Sequence, residues 1–175
     1  MASISEFKAK LKGGGARSNL FEVEINFPTY AGGSNETEAG LFLAKSASLP
    51  SMTVGVIEVP YQGRMFPMAG DRTFVEWTVT FINDTDFLLR DAFEKWSNAI
   101  NGNESNEGFS NPVDYMRDIG IFQLDKEKKR VKEYLLQDGW PTEVGQIDVS
   151  MDSTDTIEEF TVTFRYLQWS SDTTS

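Results

Sequence analysis

The chain has 175 residues, 39% of them apolar and 13% aromatic, enough to bury a core of its own in a single domain. Its formal net charge of −11 argues against a surface that grips nucleic acid, since that grip comes from cations that neutralise phosphates; a conduit that lets nucleic acid slide past remains open. With no cysteine and no histidine, disulfides, Cys- or His-ligated metals and every His-dependent triad are excluded.

The opening MASISEFKAKLKGGG lacks the long apolar core of a signal peptide, and no later run reaches the roughly 18 apolar residues of a membrane span. Ser3 and Glu6 stand at capping-box spacing, Ile4, Phe7 and Leu11 share one helical face, and Gly13-Gly14-Gly15 ends the pattern. Residues 1–18 therefore read as an arm: a short helix that needs a surface to pack on, or a frayed tail on a glycine hinge.

Asn19 to Phe27 alternates, with Phe21, Val23, Ile25 and Phe27 on one face and Glu22, Glu24 and Asn26 on the other, the pattern of a half-buried strand. Tyr30 to Glu38 reads as a surface loop, and Leu41 to Ser48 as a strand ended by Pro50. Thr53 to Pro67 is a long apolar stretch broken by Gly55, Pro60, Gly63 and Pro67. Its prolines bar it from the middle of a sheet. It is an edge or protruding arm that needs a partner, or a loop folded back on its own core.

After a turn expected at Gly70-Asp71, Val75, Trp77, Val79 and Phe81 line one face of a strand. The late strand puts Phe160, Val162, Phe164 and Tyr166 on one face, opposite Thr161, Thr163 and Arg165. TVTF thus occurs twice as one packing pattern, and the two strands match as antiparallel neighbours over a shared core. Between them, Asp86 to Ile100 has the spacing of an amphipathic helix, with Leu89, Ala92 or Phe93, Trp96 and Ile100 as its core stripe, Asp86 at its start and Asn101-Gly102 at its end.

Ile119–Asp125 and Val131–Gln137 are expected to form a hairpin with KEKKR, residues 126–130, at its tip. Such a basic run is a solvated turn that discourages edge pairing, or a charged contact with an acidic neighbour. Gln146–Met151 reads as a further strand, followed by a turn at residues 152–155. Asp152, Asp155, Glu158 and Glu159 are the best local candidates for calcium but lack EF-hand spacing, so they read as a solvated turn. No phosphate-binding Gly loop is present. No catalytic residue, cofactor or metal site is expected, and the chain is not expected to be an enzyme.

AGDRTF followed by WTVTF and IND, at residues 69–84, resembles the signature segment of tail tube proteins from contractile-tailed bacteriophages of the T-even type. NLFEVEI at 19–25, SLP at 48–50, the 86–100 helix, GWPTEVG at 139–145 and EEFTVTFRYLQW at 158–169 extend the likeness over about residues 17–169. The departures are an insertion-like loop at 30–40 and a polar tail, residues 170–175, expected to be flexible. The resemblance implies a mainly β fold: an antiparallel sandwich or half-barrel with one flanking α-helix, which completes a channel-lining barrel in a hexameric ring. It implies rings stacked into the inner tail tube, and a channel that conducts the genome and the tape-measure protein without binding them specifically.

Its implied partners are the tail sheath outside and baseplate and tail-terminator proteins at the ends, in a virion tail assembled in the host cytoplasm, with no membrane contact. The related tube of a phage-derived injection system is the alternative, and a soluble β-sandwich binding module a more distant one. Mapped onto this chain, the likeness nominates Val54, Val56, Ile57, Val59 and Tyr61 for contacts between rings. The family arrangement, combined with alternation, implies Ser46, Ser48, Gln62, Arg64, Gln123, Asp125, Glu133 and Gln137 for a neutral-to-acidic channel wall.

Overall fold

The computed structural model describes residues 3–11 and 15–174. Its elements run α1 (Ile4–Lys10), β1 (Phe21–Ile25), α2 (Ser34–Leu43), β2 (Ala44–Ala47), β3 (Met52–Tyr61), β4 (Arg64–Phe74) and β5 (Trp77–Ile82), then α3 (Leu88–Ile100), α4 (Pro112–Tyr115), β6 (Arg117–Leu124), β7 (Arg130–Val144), β8 (Glu159–Arg165) and β9 (Gln168–Ser171). Every strand pairing is antiparallel.

The long strand β7 joins two halves of one seven-stranded sheet. Its first part pairs with β6 and β9, and β6 pairs with β1; its last part pairs with β8, which pairs with β5 and then β2. The change of partner falls at Asp138, which holds φ 54°, and Gly139. A Cβ on Gly139 would lie 3.0 Å from Ile119 Cδ1 and 3.1 Å from the Arg117 carbonyl oxygen, so the close approach there favours glycine. A strand that bends between two partners is how a sheet folds over its own core.

Alternation decides what enters that core. Val23 and Ile25 of β1, Trp77, Val79 and Phe81 of β5, and Phe160, Val162 and Phe164 of β8 are buried. The β5–β8 register sets Trp77 against Phe164, Val79 against Val162 and Phe81 against Phe160, so the two TVTF segments are direct neighbours. Helix α3 covers them with Leu89, Ala92, Phe93 and Trp96. The Phe93 ring lies 5.0 Å from Phe27, 5.5 Å from Phe81 and 5.9 Å from Phe164, spacings at which aromatic pairs attract beyond their burial. Trp96 Nε1 donates to the Tyr115 carbonyl at 2.9 Å, and Arg90 donates to the Gly145 carbonyl.

Several expectations are corrected. The segment expected as a loop at 30–38 contains most of the first turns of α2, and the strand expected from Leu41 shrinks to β2. Glu36 Oε2 accepts the Gly33 amide at 2.6 Å, satisfying a first-turn donor, and Leu43 and Ala39 pack on the core. Gly70 and Asp71 lie inside β4, not in a turn, and Val75 is exposed in the short link before β5. Helix α3 starts after Asp84, whose Oδ1 accepts the Leu88 amide at 3.1 Å, so Asp86 does not cap it. Residues 146–151, expected as a strand, are irregular. Residues 170 and 171, expected in a flexible tail, belong to β9, and Ser171 Oγ bonds to the Thr173 and Thr174 hydroxyls.

The arm forms α1 with its capping box complete: Glu6 N donates to Ser3 Oγ at 3.2 Å and Ser3 N donates to Glu6 Oε2 at 2.9 Å. Gly13 and Gly14, expected to end it, lie outside the described residues. Ile4, Phe7 and Leu11 are exposed.

Candidate assembly interface

Strands β3 and β4 form a separate two-stranded sheet that departs from the body between β2 and β5. Gln62 and Gly63 both hold positive φ, 47° and 80°, as a two-residue hairpin turn requires. Cross-strand register then sorts the side chains. Ile57 faces Met68, Val59 faces Phe66 and Tyr61 faces Arg64, so these residues share one surface; Val56 with Ala69 and Pro60 with Met65 share the other. A bulge sets Gly55 of β3 against Gly70 and Asp71 of β4, so the alternation is reset on β4, while Val56 and Ile57 stay on opposite faces and make both surfaces apolar.

Tyr61 is 67% exposed, Phe66 61% and Ile57 53%. A hairpin of about ten residues per strand reaches roughly 30 Å and is marginal alone in water. Of the two readings open from sequence, the protruding arm is the one found. Its root is fixed: Trp77 Nε1 donates to the Ser48 carbonyl at 2.6 Å, Trp169 Nε1 to the Ser51 carbonyl at 3.3 Å, and Phe74 packs against Tyr166 at 6.1 Å. Burial raises the Tyr166 phenol pKa, opposed by Arg165, and the hydroxyl has no partner among the described residues.

A second surface faces away from the core on β2, β5 and β8. Thr78 and Thr80 of β5 lie beside Thr163 and Thr161 of β8, and Ser46 of β2 is in register with Thr80. The Thr78 and Thr163 hydroxyls are 3.3 Å apart. Glu76 and Arg165 close one end at 3.0 Å, and Lys45 pairs with Glu159 at the other. The threonines of TVTF thus build a hydroxyl-lined wall, and at each end of it a cation is matched by a carboxylate. β2 lacks a second ladder partner among the described residues, and so does the stretch of β7 from residue 141 to 144. Unsatisfied edges of this kind invite pairing with another copy.

The eight residues nominated for a channel wall are not brought together. Ser46 lies on the hydroxyl wall; Ser48 follows β2 and gives its carbonyl to Trp77. Gln62 and Arg64 sit at the hairpin tip. Gln123 pairs with Lys132 and Glu133 with Phe122, so Gln123 and Glu133 point to opposite faces of their sheet. Gln123 Nε2 donates to the Arg17 and Leu20 carbonyls at 2.6 and 2.7 Å, and Gln137 Oε1 accepts from Gln168 at 2.7 Å. Both are spent inside the subunit.

Asp125 closes the β6–β7 turn, where its Oδ1 accepts the Glu127 and Lys129 amides at 2.8 and 2.9 Å. Alternation misplaced it because a side chain that bonds its own turn leaves the strand pattern. Asp125→Ala is expected to cost about 1–2 kcal/mol of stability, the range for losing a charged acceptor to backbone amides. Urea unfolding measures it; an unchanged midpoint would show that the turn holds without the carboxylate.

Among the described residues, no group of three or more Asp and Glu side chains is placed to share a metal ion. Among them too, no helix is long and apolar enough to cross a membrane.

The family model for phage tail tube proteins matches residues 16–172. The tail tube protein of Serratia phage KSP90 is 36% identical over 174 residues, covering 98% of each chain. Tail tube protein gp19 of Enterobacteria phage T4 is 37% identical over 157 residues, 88% of this chain and 90% of that one. Among solved structures, the sheath–tube complex of the extracellular contractile injection system PVC contains a chain with the same fold, at TM-score 0.64 and 15% identity, with 98% of this chain and 99% of that chain covered. A match that spans nearly the whole chain, relatives above a third identity, and a sheet that presents unpaired edges and an apolar arm together assign the chain to the phage tail tube protein family.

Proposed function

We propose that the chain is the structural subunit of the inner tail tube of a contractile bacteriophage, closing into hexameric rings that stack around a channel for the genome. The observation that carries this reading is the β3–β4 hairpin, which exposes an apolar surface too long for the subunit to cover. Its faces divide the nominated contacts: Ile57, Val59 and Tyr61 meet one neighbour, and Val56 and Val54 line the opposite side and the root. Edge pairing between β2 of one copy and the 141–144 stretch of the next continues the sheet around a ring, which removes both open edges.

The hydroxyl wall of Ser46, Thr78, Thr80, Thr161 and Thr163 then faces the channel. Threonine hydroxyls offer hydrogen bonds to water but no fixed cation, so phosphates pass without releasing counterions to a binding site. Gln123, Asp125 and Gln137 are left out of this wall because their side chains are engaged within the subunit. Glu133 is left out because it lies on the other half of the sheet.

The role is non-enzymatic, and the particle is a virion tail assembled in the host cytoplasm. The sheath lies outside the tube, baseplate and terminator proteins at its ends, and the tape-measure protein within. Phage relatives at 36–37% identity favour a phage tail over the injection-system tube, whose likeness is one of fold. The purified protein, alone or seeded on baseplates, is expected to form tubes with a stain-filled axial channel in electron micrographs. Sedimentation as a monomer under every such condition would overturn the reading.

A further inference from the structure

The two ends of β7 carry opposite charge. Before it stands the β6–β7 tip, where Lys126, Lys128, Lys129 and Arg130 outnumber Asp125 and Glu127. After it comes the segment from residue 145 to 158, which holds Asp148, Asp152, Asp155 and Glu158 and no cation. Arg130 is consumed locally, stacked 3.6 Å over Phe122 and paired with Glu22 and Glu24. Lys126, Lys128 and Lys129 form no ion pair among the described residues, and neither do Asp148, Asp152, Asp155 or Glu158. One strand of fifteen residues separates the two groups, so a single copy does not bring them together.

Each end also offers apolar surface. At the basic end, Leu20, Leu124 and Val131 line a notch of about 350 Å³ beside Gly15 and Ala16, rimmed by Arg17 and Lys126; Asp125 lines it too, its carboxylate bonded to the Glu127 and Lys129 amides. At the acidic end, Met151 is 100% exposed and Val149 78% exposed, between Asp148 and Asp152. The irregular backbone there leaves Met151 unpacked, although the sequence alternates like a strand. A flexible thioether chain flanked by carboxylates suits an apolar notch rimmed by cations.

We infer that the notch of one copy receives the Met151 loop of a second copy, head to tail, with Asp152 and Asp155 set against Lys126 and Lys129. The inference rests on the assembly proposed above. A contact between two different patches is heterologous: it closes into a ring or propagates as an open stack according to the rotation it imposes, and growth along a tube axis uses the open form. Steering by opposite charge adds salt-sensitive speed and orientation to a contact whose apolar core excludes water.

The test uses two charge-reversed variants of the full chain, at exposed positions and checked for wild-type folding by circular dichroism. One carries Lys126→Glu with Lys129→Glu, the other Asp152→Lys with Asp155→Lys. Each alone is expected to need at least about ten-fold more protein than wild type to associate at about 0.15 M salt, where screening acts over about 8 Å. An equimolar mixture, or one chain carrying all four changes, is expected to regain association, because opposite charges meet again.

Either variant associating like wild type would overturn the inference, as would a mixture no better than its parts. Met151→Ser should weaken association in the wild-type background. If Phe7→Asp abolishes association while the loop reversal does not, the notch holds helix α1 and the inference falls. If the wild-type chain forms no tubes, the tube reading fails separately. The mixture still decides this contact by sedimentation, a gain in mass supporting it and no gain overturning it.

Discussion

Trp77→Ala and Phe164→Ala are each expected to lower the unfolding free energy by about 3–5 kcal/mol, the range for deleting a large aromatic ring from a packed core. The two residues are 1% and 0% exposed and directly paired across the β5–β8 ladder, with ring centroids 5.6 Å apart. Trp96 lies 6.3 Å from Phe164 and Phe93 5.9 Å, so the cavity left by Phe164 is walled by rings that cannot collapse into it without moving α3. Trp77 also donates to the Ser48 carbonyl at the hairpin root, so its loss should loosen the arm as well. Such losses are a large part of a typical domain stability of about 5–15 kcal/mol. Denaturant unfolding of both variants provides the measurement. A loss under about 1 kcal/mol at both sites would mean that neither ring carries the core. Because the residues touch, the double variant should lose less than the sum of the two.

Ile57→Asp is expected to leave a folded subunit that cannot extend tubes. Ile57 lies in the middle of the hairpin's apolar surface with Val59, Tyr61, Phe66 and Met68, far from the core. In the free subunit the new carboxylate stays hydrated, so the unfolding midpoint should hold within about 0.5 kcal/mol, as for other surface changes. In an assembled tube the same carboxylate would be buried without a partner, a penalty of several kcal/mol that recurs in every copy. Electron microscopy under tube-forming conditions, beside an unfolding curve, separates the outcomes. Tubes of normal length would remove the arm from the assembly contact. A variant that fails to fold would show that the hairpin packs on its own core. Glu58→Lys is the control: Glu58 faces Pro67 on the other surface and already carries charge, so it should perturb assembly far less.

Alternation by itself determined which strands bury which faces. Val23 and Ile25, the two TVTF faces and the Leu89–Phe93–Trp96 stripe were legible because period 2 and period 3.6 state which side chains leave water together, and burial follows directly. It failed where a local bond or a partner outweighs the pattern. Helix α2 lies in a Gly, Ser and Asn-rich stretch that reads as loop, and the Glu36-to-Gly33 bond and the core under Leu43 make it helical. Residues 146–151 alternate as a strand should, yet they pair with no strand among the described residues, and a strand without hydrogen-bond partners is not stable.

Surface roles depended still more on tertiary structure. The apolar arm was visible in the residues from Thr53 to Pro67, but the register of β3 against β4 decided which of them share a face. The wall of threonines emerged only when β5, β8 and β2 were placed side by side, since each strand alone shows two or three polar residues and no sign of which edge meets which. Gln123 and Glu133 look equivalent in sequence, but cross-strand register turns them to opposite faces. Periodicity within a strand sets which side chains travel together. Which face looks inward, outward or along a tube is set by pairing between distant segments, and that information lies in no single stretch of this chain.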